Sequence, residues 1–192
     1  MGREFELKYA ATPSVQDQLR AIYGPWHQFS METTYFDTPN GTLSAHRMTL
    51  RLRKENDDVV CTLKTPLSDG SRGEWECAAD NIADGIQTLV AKGAPSQLLE
   101  LTKGGVIERC GARFTRFACQ IPTSDGFAEL ALDAGVLLGG GKEIPLCEIE
   151  IELKSGSDTA AVAIAQQLAA QFALQVEPSS KFRRALRLAQ GE

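Results

Sequence analysis

The sequence predicts an α+β fold built on about eight antiparallel strands with helices interspersed. Apolar and polar residues alternate in runs such as FELKYA, TLRLRKE, GEWECA and CEIEIEL, the period of a strand. Helix-periodic stretches stand apart from these runs, near residues 13–22, 81–105 and 157–190. Consecutive strand runs follow one another closely enough for antiparallel pairing.

The opening strand, GREFELKYA, alternates Glu4, Glu6 and Lys8 with Phe5, Leu7 and Tyr9. In TPSVQDQLRAIYG, Thr12 or Ser14 can cap a helix, Pro13 suits its first turn, and Val15, Leu19 and Ile22 recur at helical spacing until Gly24. In METTYFDTPNGTLSAHR, Thr33 to Phe36 favour a strand that Pro39 stops and Asn40-Gly41 turns. MTLRLRKENDDVVCTLKTP alternates on both sides of the polar turn from Glu55 to Asp58, which predicts a hairpin, and RGEWECAA alternates again. Two short helices, around IQTLVAKG and SQLLELTKGG, each end at glycine. Strands return in GARFTRFACQI, FAELALDAGVLL and PLCEIEIELKSG, the last two joined by the loop GGGKEIP. SDTAAVAIAQQLAAQFAL is a helix capped by Ser157 or Asp158, and SSKFRRALRLAQ is a shorter one.

A chain of 192 residues, 43% apolar with both charge signs mixed, fits one domain that buries a core without staples. The net charge of -5 argues against generic attraction to nucleic acid or to an anionic membrane. Five scattered cysteines without a CxxC spacing indicate reduced thiols rather than a disulfide framework or a zinc site. No stretch approaches the roughly 20 apolar residues of a membrane span, and MGREFELK has no apolar signal-peptide core, so a cytoplasmic protein is expected.

Strand parity sorts the charges. Glu4, Glu6 and Lys8 share a face, as do Arg51 with Arg53, Thr62 with Lys64, Arg72 with Glu74 and Glu76, Glu129 with Asp133, and Glu148, Glu150, Glu152 with Lys154. A solvated sheet face accounts for any one strand. The set as a whole is segregated: acids dominate the first and the last two strands, bases the hairpin. Glu4 and Glu6, about 6.6 Å apart by strand rise, would repel by roughly 2–3 kcal/mol at an effective dielectric near 20. Were such pairs to face each other across an enclosed interior, a divalent cation would be needed, and hard oxygen donors without His or Cys select Mg²⁺ or Mn²⁺. The bases would then take an anion, and a phosphate chain suits Arg forks and Lys point charges.

The ordered series Glu4-x-Glu6-x-Lys8, the RLR of Arg51 and Arg53, the LK of Lys64, the FTR of Arg116, the ELALD of Glu129 and Asp133, CEIEIEL and the closing SSKFRRAL resembles the CYTH domain of the triphosphate tunnel metalloenzyme superfamily. TYFDTPNGTL and the ending SSKFRRALRLAQG look most like bacterial inorganic triphosphatases. The resemblance implies one domain over residues 1–192, an eight-stranded antiparallel β-barrel (triphosphate tunnel) with flanking helices, and, since a CHAD domain often follows in such proteins, a C-terminal CHAD domain that is absent or truncated. It also implies metal-dependent hydrolysis of inorganic triphosphate to pyrophosphate and phosphate, by water activated at the metal. By the same resemblance Glu4, Glu6, Asp133, Glu148 and Glu150 match metal ligands for Mg²⁺ or Mn²⁺. Lys8, Arg51, Arg53, Lys64, Arg116 and Lys181 match phosphate-binding bases, and Glu4, Glu6, Lys8, Glu148 and Glu150 form the catalytic set. Nucleoside or thiamine triphosphate hydrolysis, class IV adenylate cyclase chemistry and non-catalytic polyphosphate binding remain alternatives on the same scaffold.

Other features read as structural. Gly139-Gly140-Gly141-Lys142 lacks the spacing and hydroxyl of a phosphate loop and reads as a hairpin. His27 and His46 have no partner at metal spacing, and Trp75, between Glu74 and Glu76, belongs to the core-packing face. Arg184 reads as part of a solvated helix face.

Overall fold

The computed structural model describes residues 2–67 and 72–192. Among these described residues ten strands form: β1 (Gly2–Glu4), β2 (Glu6–Ala10), β3 (His27–Asp37), β4 (Thr49–Glu55), β5 (Asp58–Pro66), β6 (Arg72–Ala78), β7 (Ile107–Pro122), β8 (Phe127–Gly139), β9 (Lys142–Ser155) and β10 (Gln175–Val176). Six helices accompany them: α1 (Pro13–Ile22), α2 (Thr42–Ala45), α3 (Ile82–Ala91), α4 (Gln97–Thr102), α5 (Asp158–Phe172) and α6 (Lys181–Gln190).

The α+β class holds, but the eight-stranded closed β-barrel does not form. The strands lie in one open antiparallel sheet, in the order β1-β6-β5-β4-β3-β7-β8-β9-β2-β10. The N-terminal segment divides at Phe5. Residues 2–4 pair with β6, and residues 6–10 pair with β9. The other edge of β2 is taken by β10, through Gln175 opposite Ala10 and Val176 opposite Tyr9, so it is not available to close the ladder onto β1. Alternation in sequence reports which face a residue occupies and carries no signal for how the last edge is paired.

The sheet curls with its charged face inward and its apolar face against helices. On one flank α1 and α5 cover Leu130, Leu132, Ile149 and Ile151 with Leu19 and Leu168. On the other, α3 and α4 cover Leu50, Leu63, Trp75 and Cys77 with Ile86, Leu89 and Leu98. Each such fully buried leucine or isoleucine contributes about 1.5–3 kcal/mol. These are the strand residues of opposite parity to the charges, so the hydrophobic effect fixes which way the charged side chains point.

Local signals mostly act as read. Thr12 caps α1 by accepting from Val15 N, Ser157 caps α5 by accepting from Ala160 N, and Ser180 caps α6 by accepting from Arg183 N. The loop expected over GGGKEIP is shorter: Gly139 already pairs with Lys142, and Gly140 and Gly141, with φ of 58° and 74°, make the two-residue turn. The DTPNGTL stretch forms α2 under Asp37, whose carboxylate accepts from the backbone N–H groups of Thr38, Leu43 and Ser44. All five cysteines are free, and burial pushes Cys61 and Cys110 up to about 12 and Cys119 to about 11. No helix among the described residues is long and apolar enough to cross a membrane.

Candidate functional site

The curled sheet encloses a cavity of about 450 Å³. Its walls carry Glu4, Glu6 and Lys8 from the N-terminal segment, Arg51 and Arg53 from β4, Lys64 from β5, and Arg116 from β7. Glu150 from β9 and Lys181 from the start of α6 also line it. Nine of the eleven expected site residues line the cavity; Asp133 and Glu148 lie deeper, fully buried behind the lining.

Register explains the deeper pair. Asp133 on β8 stands opposite Glu148 on β9 and opposite Arg116 on β7, while Glu150 stands opposite Lys8 on β2. Behind them Gln16 of α1, itself buried, donates from its amide to the backbone carbonyls of both Asp133 and Glu148 at 3.0 Å. A polar helix residue thus fixes the backbone that presents the acids, and nothing in the periodicity of α1 marks it out.

The acids form one ion network. Oxygens of Asp133, Glu148 and Glu150 lie within 4.8 Å of one another. Arg116 donates to both oxygens of Asp133 at 2.7 Å, from Nε and from one terminal nitrogen, and that same terminal nitrogen reaches Glu150 at 2.5 Å. Lys181 Nζ lies 2.7 Å from Asp133 Oδ2 and 2.8 Å from Glu150 Oε1, and also contacts Glu148 Oε1. Arg184 closes on the second oxygen of Glu148 and lies 3.5 Å from Glu177. Its side chain is only 17% exposed, so it is not on a solvated face. The signal was its position three residues after Lys181 on one helix.

Electrostatics follow from this crowding. Burial pushes Glu150 up, but Lys181 and Arg116 outweigh it and hold the carboxyl well below its ordinary range. Burial pulls Lys181 down, yet Asp133, Glu150 and Glu148 more than reverse that and leave it raised. Asp133, Glu148 and Glu150 fit a hard divalent cation: three carboxylates and no sulfur or imidazole, converging at metal-ligand separation.

Glu4 and Glu6 fall outside that cluster. Glu4 contacts Lys64, and Glu6 accepts from Lys8 at 2.8 Å. The division at Phe5 separates them, with Glu4 opposite Arg72 and Glu6 opposite Glu152.

The bases of β4 are less well matched. Arg51 lies 3.9 Å from both Glu74 and Glu76, and Arg53 lies 3.8 Å from Glu76 and contacts Glu55. The Nε groups of Arg51 and Arg53 are buried without a hydrogen-bond partner among the described residues. Burial, and then Arg51 beside it, pull Arg53 below its ordinary value. Both guanidinium groups also line the cavity, where cationic donors this loosely paired favour an anion.

An open, helix-covered antiparallel sheet around a charged cavity with a three-carboxylate cluster defines the class of a polyanion-handling, cation-binding domain. Residues 2–186 match the CYTH domain, and the chain belongs to that family, the triphosphate tunnel metalloenzymes. It is 27% identical over 170 residues to an inorganic triphosphatase of Haemophilus influenzae, covering 82% of this chain and 47% of that one. The chain therefore spans about half the length of that curated relative. Among solved structures, the fold is similar to HpAC1 of Hippeastrum, an adenylyl cyclase by name, described as having a dominant triphosphatase activity. That match has a TM-score of 0.63 and 23% identity over 96% of this chain and 95% of that one. The PH1819 protein of Pyrococcus horikoshii OT3 matches with a TM-score of 0.64 and 22% identity, over 97% and 99% of the two chains.

Proposed function

We propose that the chain is a divalent-metal-dependent triphosphatase that hydrolyses inorganic triphosphate to pyrophosphate and phosphate. The observation that carries this reading is the pair of loosely matched arginines, Arg51 and Arg53, lining a cavity that backs onto the acidic cluster and reaches it at Glu150. The name of the Haemophilus influenzae relative favours the inorganic substrate.

In this reading Arg51, Arg53 and Lys64, with Lys8, hold the phosphate chain and draw off charge as it builds on the transferring group and the leaving pyrophosphate. Asp133, Glu148 and Glu150 would hold Mg²⁺ or Mn²⁺, with Glu4 and Glu6 on the neighbouring wall available to a second ion. When bound, the metal supplies Lewis-acid stabilisation and a more acidic water. Lys8 serves in binding rather than as a base: burial pulls it down, but Glu6, Glu150 and Glu148 raise it above its ordinary value and keep it protonated. Arg116, engaged with Asp133 and Glu150, orients those carboxylates and reaches phosphate only as a secondary role. A cytoplasmic location and a single domain over residues 1–192 accompany this proposal.

Phosphate release measured with tripolyphosphate, ATP, thiamine triphosphate and pyrophosphate, in Mg²⁺, Mn²⁺ or chelator, tests it. Tripolyphosphate is expected to be preferred and chelator to abolish turnover. Formation of cyclic AMP from ATP as the main reaction would overturn the assignment.

A further inference from the structure

We propose that Lys181 is the resident cation of the acidic cluster, occupying the position that a divalent ion takes, so that the ion and the Lys181 ammonium exclude one another. The inference rests on the reading of Asp133, Glu148 and Glu150 as the metal site. The three oxygens that converge on Lys181 Nζ are Asp133 Oδ2, Glu148 Oε1 and Glu150 Oε1. The remaining oxygens face the protein's own arginines: Asp133 Oδ1 and Glu150 Oε2 accept from Arg116, and Glu148 Oε2 from Arg184. The outer oxygens are thus anchored, and the inner ones converge on the ammonium, Asp133 Oδ2 being shared with Arg116, which donates to it at 2.7 Å.

Charge makes the exclusion strict. Three carboxylates meet three cations, Lys181, Arg116 and Arg184, in a cluster where Asp133 and Glu148 are wholly buried and the Glu150 side chain is 12% exposed. Adding a divalent ion while keeping all three cations would leave an excess of two positive charges out of water, which is costly. Arg116 is bound bidentately and Arg184 has a second partner in Glu177, so Lys181, on a flexible four-carbon stem, is the cation that leaves.

What it leaves for is also on the cavity wall. The first turn of α6 carries Lys181, Arg183 and Arg184 and no acid, on the positive end of the helix dipole. Ser180, Lys181 and Arg183 all line the cavity. Once released from the carboxylates, the ammonium has an anion-attracting surface beside it, suited to a substrate phosphate. The backbone of α6 need not move: Gly139 lets it lie directly on β8, where an added Cβ would come within 2.4 Å of Ala185 O, and Phe182 packs on Tyr35 with ring centroids 5.1 Å apart. The exchange is confined to one side chain.

The test is Mn²⁺ binding without substrate, by calorimetry or by the electron paramagnetic resonance of free ion, in the wild type, Lys181→Met and Glu150→Gln. The account expects Lys181→Met to bind Mn²⁺ at least 10-fold more tightly than the wild type, and Glu150→Gln to bind it more weakly. Equal or weaker binding by Lys181→Met, with binding still lost in Glu150→Gln, would overturn the exchange while leaving the metal site standing. No Mn²⁺ binding by any of the three would overturn the metal site and the exchange together. A second readout needs no variant: mass spectrometry after pulsed amine acylation should show Lys181 protected in chelator and severalfold more labelled in Mg²⁺, and equal labelling would overturn the exchange.

Discussion

The two walls of the cavity solve opposite problems. On the β8–β9 wall, three carboxylates are matched by Lys181, Arg116 and Arg184, nearly every contact is short, and Gln16 fixes the backbone from behind. On the β4 wall, Arg51 and Arg53 meet carboxylates mostly at 3.8–3.9 Å and bury Nε groups without partners. The acidic wall carries its own short countercharges, with Arg184 Nε its one buried guanidinium nitrogen without a partner among the described residues, whereas the basic wall's arginines are loosely paired throughout. The same residue types are therefore closely paired on one side and loosely paired on the other.

That contrast can be broken most directly at Asp133. Asp133→Ala leaves Arg116 and Lys181 as excess buried cations, and it should cost about 3–5 kcal/mol in urea denaturation and lower triphosphate turnover about 100-fold or more. A loss no larger than that of a β4 arginine variant would show the walls to be equivalent. Gly139→Ala is next. The added methyl meets the α6 backbone, and a cost of about 1–3 kcal/mol is expected in the same assay. An unchanged midpoint would mean that α6 is not seated through this contact.

Arg51→Met should behave in the opposite sense to Asp133→Ala. Stability should stay within about 1 kcal/mol or rise, because an unsatisfied buried group is removed, while KM for tripolyphosphate should rise about 10-fold, the effect of about 1.4 kcal/mol of lost phosphate contact. A fall in stability with unchanged KM would reverse the assignment of the two walls. The smallest effect expected is in pH dependence. Lys181 is raised above its ordinary 10.5 in the folded chain, so its stabilisation is fully present below about that pH and is lost as pH rises through the folded value. Wild type should thus lose more of its thermal midpoint than Lys181→Met between neutral pH and strongly alkaline pH. Arg51→Met should follow the wild-type profile, and parallel profiles for all three would remove Lys181 from the stability of the acidic wall.

The faces of this site were legible in the sequence and its pairings were not. Alternation put Glu4, Lys8, Arg51, Arg53, Lys64 and Glu150 on inward faces because strand parity is local and the opposite faces carry Leu, Ile and Trp for the helices to cover. Closure of the sheet is not legible because it depends on how the segment around Phe5 divides between β6 and β9 and on a two-residue strand, β10, too short to give a pattern. The burial of Arg184 is hidden because a helix face shows its spacing but not what lies under it, and Gln16 stays invisible because a single polar residue on an amphipathic helix carries no period. Resemblance matches Arg116 to a phosphate-binding base; register adds what it does not show, that Arg116 stands opposite Asp133 and pairs with it from the cavity wall.

The central claim is that the basic wall takes the phosphate chain and the acidic wall does not need to be loaded for it to do so. Isothermal titration of tripolyphosphate into chelator-treated protein tests this in the wild type, Arg51→Met and Arg53→Met. Binding in the absence of metal, weakened about 10-fold by either substitution and weakened further by added salt, is the predicted result. Metal-free binding that is untouched by both substitutions, or no binding until metal is added, would contradict it.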